Sequence, residues 1–121
     1  MSKHMQLTTK IKPYYKKGLA GVYPQFARRL HFIEPEWVDS EPSLFEIVGR
    51  LDRLLYKSEA DPPFREILIR YKEKLHALYE RIEEQIADWH LAEADKRLYE
   101  IEDIFNEIES ELGEISNGGD N

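Results

Sequence analysis

The chain has 121 residues, 41% hydrophobic and 34% charged, with a net charge of −7 and no cysteine. That length suits one domain, able to bury roughly 65% of the surface its unfolded form exposes. The composition excludes wholesale disorder, disulfides, thiol catalysis and cysteine-ligated metal, and the negative charge argues against broad electrostatic binding to nucleic acid or anionic lipid.

No apolar run approaches the length of a membrane span, Ile67-Leu68-Ile69 being typical, and no apolar leader follows Met1. A cytoplasmic protein with no membrane partner is therefore expected. The charge is unevenly spread. Residues 1–33 carry seven Lys or Arg and no acid, residues 34–97 ten bases against sixteen acids, and residues 98–121 eight acids and no base. The pattern reads as a basic arm, a mixed body and an acidic end.

Residues 1–6 are left out of the fold reading, because His4-Met5 has the look of a fusion scar. Residues 1–17 read as a basic irregular arm, and Gly18 and Gly21 discourage a long helix after it. Pro24 suits a first helical position, and Phe26, Leu30 and Ile33 recur at helical spacing, so a short helix is predicted over 24–32. Pro35 disfavours helical backbone at Glu34 and ends it. A connector follows, pinned to the core by Trp37 and Val38. Ser43 and Glu46 have capping-box spacing and open a helix predicted over 43–57, with Leu44, Ile47, Val48, Leu51, Leu54 and Leu55 on one face.

After the turn at Pro62-Pro63 two heptad stripes appear. Phe64, Leu68, Tyr71, Leu75, Leu78, Ile82, Gln85 and Trp89 form the first. Leu91, Ala94, Leu98, Ile101, Phe105, Ile108 and Leu112 form the second. The two frames differ by one residue, which neither a three- nor a four-residue insertion explains. A tight break at Asp88-Trp89-His90 accounts for the slip. The arms become helices over 63–88 and 91–113, each roughly 35–39 Å long, with a disordered tail over 114–121. The predicted fold is all-α, a bundle of three to four helices in a single domain built on a long antiparallel αα-hairpin.

Four constellations could carry chemistry. Glu80-x-x-Glu83 with Glu100-x-x-Asp103 resembles the paired acidic motifs of all-α nucleoside triphosphate pyrophosphohydrolases of the MazG type. The resemblance covers four residues and implies carboxylates holding Mg²⁺ against a triphosphate. Helical rotation turns all four away from the hairpin seam, so solvated faces are the expectation. Glu73-x-x-His76 has the spacing of a di-iron half-site, but no second Glu-x-x-His exists in the chain. Neither a catalytic residue nor a metal or cofactor is assigned.

The third is the basic aromatic segment containing Lys10, Lys12, Tyr14, Tyr15, Lys16, Lys17, Tyr23, Arg28 and Arg29, suited to single-stranded nucleic acid or to the chain's own acidic end, in cis or in a homodimer. Self-pairing is favoured because the net field is negative. The fourth is the off-seam set Phe45, Tyr56, Ile69 and Tyr99, which needs either another contact within the chain or a partner. The function expected is a non-enzymatic interaction module, an adaptor, assembly factor or small regulatory subunit, binding another protein. Nucleic-acid association through the basic segment is the alternative.

Overall fold

In the computed structural model, residues 18–119 are described, and the basic arm over 1–17 lies outside them. The described chain is helical throughout its regular structure and forms an all-α bundle. It contains α1 (Gly18–Val22), α2 (Pro24–Ile33), α3 (Pro35–Asp39), α4 (Leu44–Gly49), α5 (Leu51–Lys57), a single 3₁₀ turn (Ser58–Ala60), α6 (Pro62–Ala87) and α7 (Leu91–Gly119).

The α6–α7 hairpin is the frame. Its inner faces bury Phe64, Leu68, Leu75, Leu78 and Ile82 against Ile101, Phe105, Ile108 and Leu112, the predicted seam over most of its length. Tyr71 and Leu98 are only partly buried. Trp89 departs from the seam: it lies in the turn between the arms, 56% exposed.

That turn follows a recognisable helix-end pattern. The His90 N–H donates to the Gln85 carbonyl at 2.7 Å and the Trp89 N–H to the Ile86 carbonyl at 3.0 Å, the paired bonds of a Schellman motif. The motif requires a left-handed residue at the position Trp89 occupies, and its φ is 61°. Glycine is favoured there, and a side chain costs about 1 kcal/mol. Glu41, after α3, has φ 52° and is the other non-glycine residue of positive φ among those described.

Four elements differ from the sequence reading, the first being α1, a short helix over Gly18–Val22 in the irregular lead expected before Pro24. The helix predicted over 43–57 is two, broken where Arg50 takes φ −114° and ψ 22°. Its capping box forms at the predicted residues: Glu46 N–H donates to Ser43 Oγ at 3.1 Å, and Ser43 N–H to Glu46 Oε1 at 2.8 Å. The connector over 34–42 contains α3, which brings Trp37 and Val38 against the core. The last helix passes through Gly113 to Gly119, so residues 114–119 belong to a helix rather than a disordered tail. Ile115 continues the spacing of Ile108 and Leu112 and packs against the core. That contact outweighs the roughly 1 kcal/mol a helical glycine costs relative to alanine.

The short helices cover the hairpin. Helix α2 packs on α7, and α4 contacts both arms. The centre of the α2 contact is aromatic. Phe26 meets Phe105 edge-on at 5.1 Å and Phe64 at 5.6 Å, and Tyr23 meets Phe105 at 6.0 Å. Such edge-to-face pairs contribute about 1 kcal/mol each beyond the area they bury.

Candidate interaction surfaces

The acidic candidates do not converge. Glu80, Glu83, Glu100 and Asp103 are all exposed, and no group of three or more His, Asp or Glu side chains among the described residues is arranged to hold a metal ion. His76 does not pair with Glu73. Its Nε2 lies 3.4 Å from Asp52 Oδ1, an inter-helix contact between α6 and α5.

The basic segment is divided. Tyr14, Tyr15, Lys16 and Lys17 lie outside the described residues. Arg29 is committed inside the fold: its guanidinium donates to Asp61 Oδ1 at 2.7 Å and Oδ2 at 2.9 Å, with both side chains largely buried. Asp61 also accepts from the Phe64 N–H at 3.4 Å, so one carboxylate ties α2 to the start of α6. Arg28 is exposed and hydrogen-bonds to Gln25. Arg28, Arg29, His31, Phe32 and Asp61 line a hollow of about 330 Å³.

The acidic end does meet the N-terminal helices, though not through their cations. The Glu109 carboxylate accepts from the Gln25 N–H at 2.8 Å and the Phe26 N–H at 2.9 Å. These are orphan donors of the first turn of α2, which has no side-chain cap of its own. The cap comes from 84 residues away along the chain. Spacing gave no signal of it, because a tertiary cap has no local pattern. Close by, burial and then Glu102, Glu109 and Asp103 push the Tyr23 hydroxyl up to about 12. Burial, followed by Asp103 and Asp95, also raises the Glu102 carboxyl above its ordinary value. On the hairpin edge, hydrogen bonds from Arg70 and Tyr71 hold the Glu111 carboxyl below its ordinary value.

The off-seam aromatics separate into two kinds. Phe45 is covered within the chain, stacked on Tyr79 of α6 at 4.4 Å and 12° between planes. Gly49 continues that contact: a Cβ placed there would meet the Tyr79 ring at 2.9 Å. Residues 45, 49 and 52 thus face α6, with Phe45 half-buried under the Tyr79 ring and Asp52 largely exposed beside His76. Tyr79 was invisible to the heptad frame because it lies one position beyond the Leu78 seam. Tyr56, Ile69 and Tyr99 are exposed, at 76%, 45% and 60%. Phe32 and Trp89 join them as large exposed side chains; the sequence reading put Trp89 on the seam and singled out nothing at Phe32. The one-residue slip between heptads was the signal for Trp89.

No family model matches the chain, and no curated protein or solved structure matches it. No helix of the described residues is long and apolar enough to cross a membrane.

Proposed function

We propose that the protein is a non-enzymatic interaction module, an adaptor, assembly factor or small regulatory subunit, that binds another protein through side chains its own fold does not use. The observation carrying this reading is the pairing of a closed inner face with large exposed side chains on the same helices. On α6 and α7 the seam residues from Phe64 to Ile82 and from Ile101 to Leu112 are buried, Tyr71 in part, while Ile69 and Tyr99 project outward. On α5, Leu51, Leu54 and Leu55 are buried and Tyr56 is 76% exposed. Tyrosine offers a large, amphipathic contact with few rotatable bonds, which favours it at protein interfaces. The commitment of Arg29 to Asp61 removes one cation from the nucleic-acid alternative and leaves that reading with less support.

Affinity capture with the full chain as bait, followed by amine cross-linking and mass spectrometry, tests the proposal. A stoichiometric protein partner cross-linked at Lys57 and Lys96, neighbours of Tyr56 and Tyr99 on their helices, is expected. Recovery of nucleic acid released by salt would overturn it, as would the absence of any stoichiometric partner from the organism's own extract.

A further inference from the structure

We infer that Gln85 and Arg97 form a polar layer at which the α6–α7 hairpin divides, so that its distal segment, residues 83–100, opens as a unit while the base stays closed. This opening is a property of the fold itself and requires no partner.

The layer follows from the register of the two arms. Near the base, the Tyr71 hydroxyl donates to the Glu111 carboxylate, which also accepts from Arg70. Seven residues on along α6 and seven back along α7 bring Leu78 level with Ile104, and both are buried. A second step of seven brings Gln85 level with Arg97. Three levels of one face thus run polar, apolar, polar. The first polar level is satisfied and the second is not. Gln85 Oε1 is buried with no hydrogen-bond partner, and Arg97 Nε is buried 3.0 Å from Glu100 Oε2 without hydrogen-bonding geometry. Buried polar atoms are ordinarily satisfied, so a buried acceptor and a buried donor left unpaired at one level weaken the seam there.

Packing thins at the same level. Beyond Ile82, α6 contains no buried side chain, and before Ile101, α7 contains only Ala94. Ile86, Leu91 and Leu98 are half-covered. The short helices brace the base. Phe45 stacks on Tyr79, Tyr23 and Phe26 meet Phe105, and the Gln25 and Phe26 N–H groups donate to Glu109, all on the base side of Ile82 and Ile101.

The balance of energies therefore changes at the Gln85–Arg97 level. On the base side, parting the arms exposes Leu68, Leu75, Phe105 and Ile108, and the loss of that burial opposes it. On the distal side little fully buried apolar surface is lost, and Gln85 and Arg97 recover the hydration that burial denies them. Segments with few buried apolar contacts open at a lower free energy than the whole molecule unfolds. Opening here bares Ile86, Leu91, Ala94 and Leu98 together and leaves the aromatic centre of the bundle intact.

Native-state hydrogen exchange of the full chain, read residue by residue by NMR, tests this division. Helical amides within residues 83–100 are expected to exchange at least about tenfold faster than those of residues 68–82 and 105–112. Their rates should change little in dilute urea, where those of the base follow the slope of global unfolding. Gln85→Leu with Arg97→Leu is expected to slow the distal amides at least about tenfold, since replacing unsatisfied polar partners by apolar groups removes the cost of burying them. Tyr71→Leu with Glu111→Leu, at the equivalent level near the base, removes a satisfied pair and is expected to slow none of them. If leucine disturbs the fold, Gln85→Met with Arg97→Met, closer in shape to the native side chains, decides between the outcomes. One shared rate and urea slope for distal and base amides would overturn the inference. So would distal amides that neither replacement of the 85–97 layer slows, or that the 71–111 replacement slows equally. None of these results bears on the interaction-module reading, which partner capture tests separately.

Discussion

At Gly49 a single hydrogen leaves room for the Tyr79 ring, whose Cε2 would lie 2.9 Å from an added Cβ. Alanine would gain up to about 1 kcal/mol in helix propensity. It would also displace a ring stacked on Phe45, and small-to-large changes in packed sites cost about 1–3 kcal/mol. Gly49→Ala is therefore expected to lower stability in urea by about 1 kcal/mol, and to be neutral or stabilising once Tyr79 is also alanine. Phe45→Ala is expected to cost about 2 kcal/mol, through the lost stack and its partial burial. A helical wheel places Phe45 on the back of its helix, which is correct. The wheel carries no information about the second layer, where α6 turns Tyr79 toward that back face.

Two carboxylates at the same scale respond to pH with opposite signs. Glu102 has a raised value, so its ionised form is disfavoured in the folded chain. Its charge weakens the fold at neutral pH, and that loss disappears as pH falls through the raised value. Glu111 has a depressed value, so its contribution is complete above the ordinary 4.5 and is lost as pH falls through the lower folded value. Glu102→Gln is expected to raise the melting temperature at pH 7 and Glu111→Gln to lower it. Both differences should close in the acid range, that of Glu111 at the lower pH. Melting curves from pH 3 to pH 8 check this, and effects of equal sign at pH 7 would refute it.

Among the elements, the hairpin was the most legible. Its evidence was two uninterrupted heptads and a slip between them, and both features have a physical reading as a seam and a turn. The capping box at Ser43 and Glu46 was equally legible, because both partners lie within one helical turn. What escaped was decided by contacts between distant elements. The break at Arg50 splits a helix whose apolar stripe is continuous. Gly113 reads as a stop, yet Ile115 beyond it has a place on the core. The docking of α2 turns on Glu109, a residue indistinguishable in sequence from the other acids of α7. Glu109→Ala is expected to cost about 2 kcal/mol, since it strands two N–H donors. Glu109→Gln, which keeps one carbonyl acceptor, should cost less. Near-equal losses would mean that the carboxylate packs rather than caps.

For the whole molecule, the split of charge along the chain has a partial structural answer. The acidic last helix receives the N-terminal helices through backbone N–H groups and aromatic rings, while Arg29 turns to Asp61 at the base of the hairpin. Of the large exposed side chains, Tyr99 shares α7 with its acids, whereas Tyr56 lies on α5 between Arg53 and Lys57. Under the interaction-module proposal, a frame closed along most of its inner seam, with tyrosines standing outside it, separates stability from binding. Melting temperature and partner capture, measured together on the double variant Tyr56→Ala with Tyr99→Ala, test that separation most directly. Both side chains are more than half exposed, so the melting temperature should stay within about 2 °C of the wild type, as surface changes usually do. Capture of the partner should fall at least tenfold. Unchanged capture, or capture lost only together with the fold, would contradict the separation.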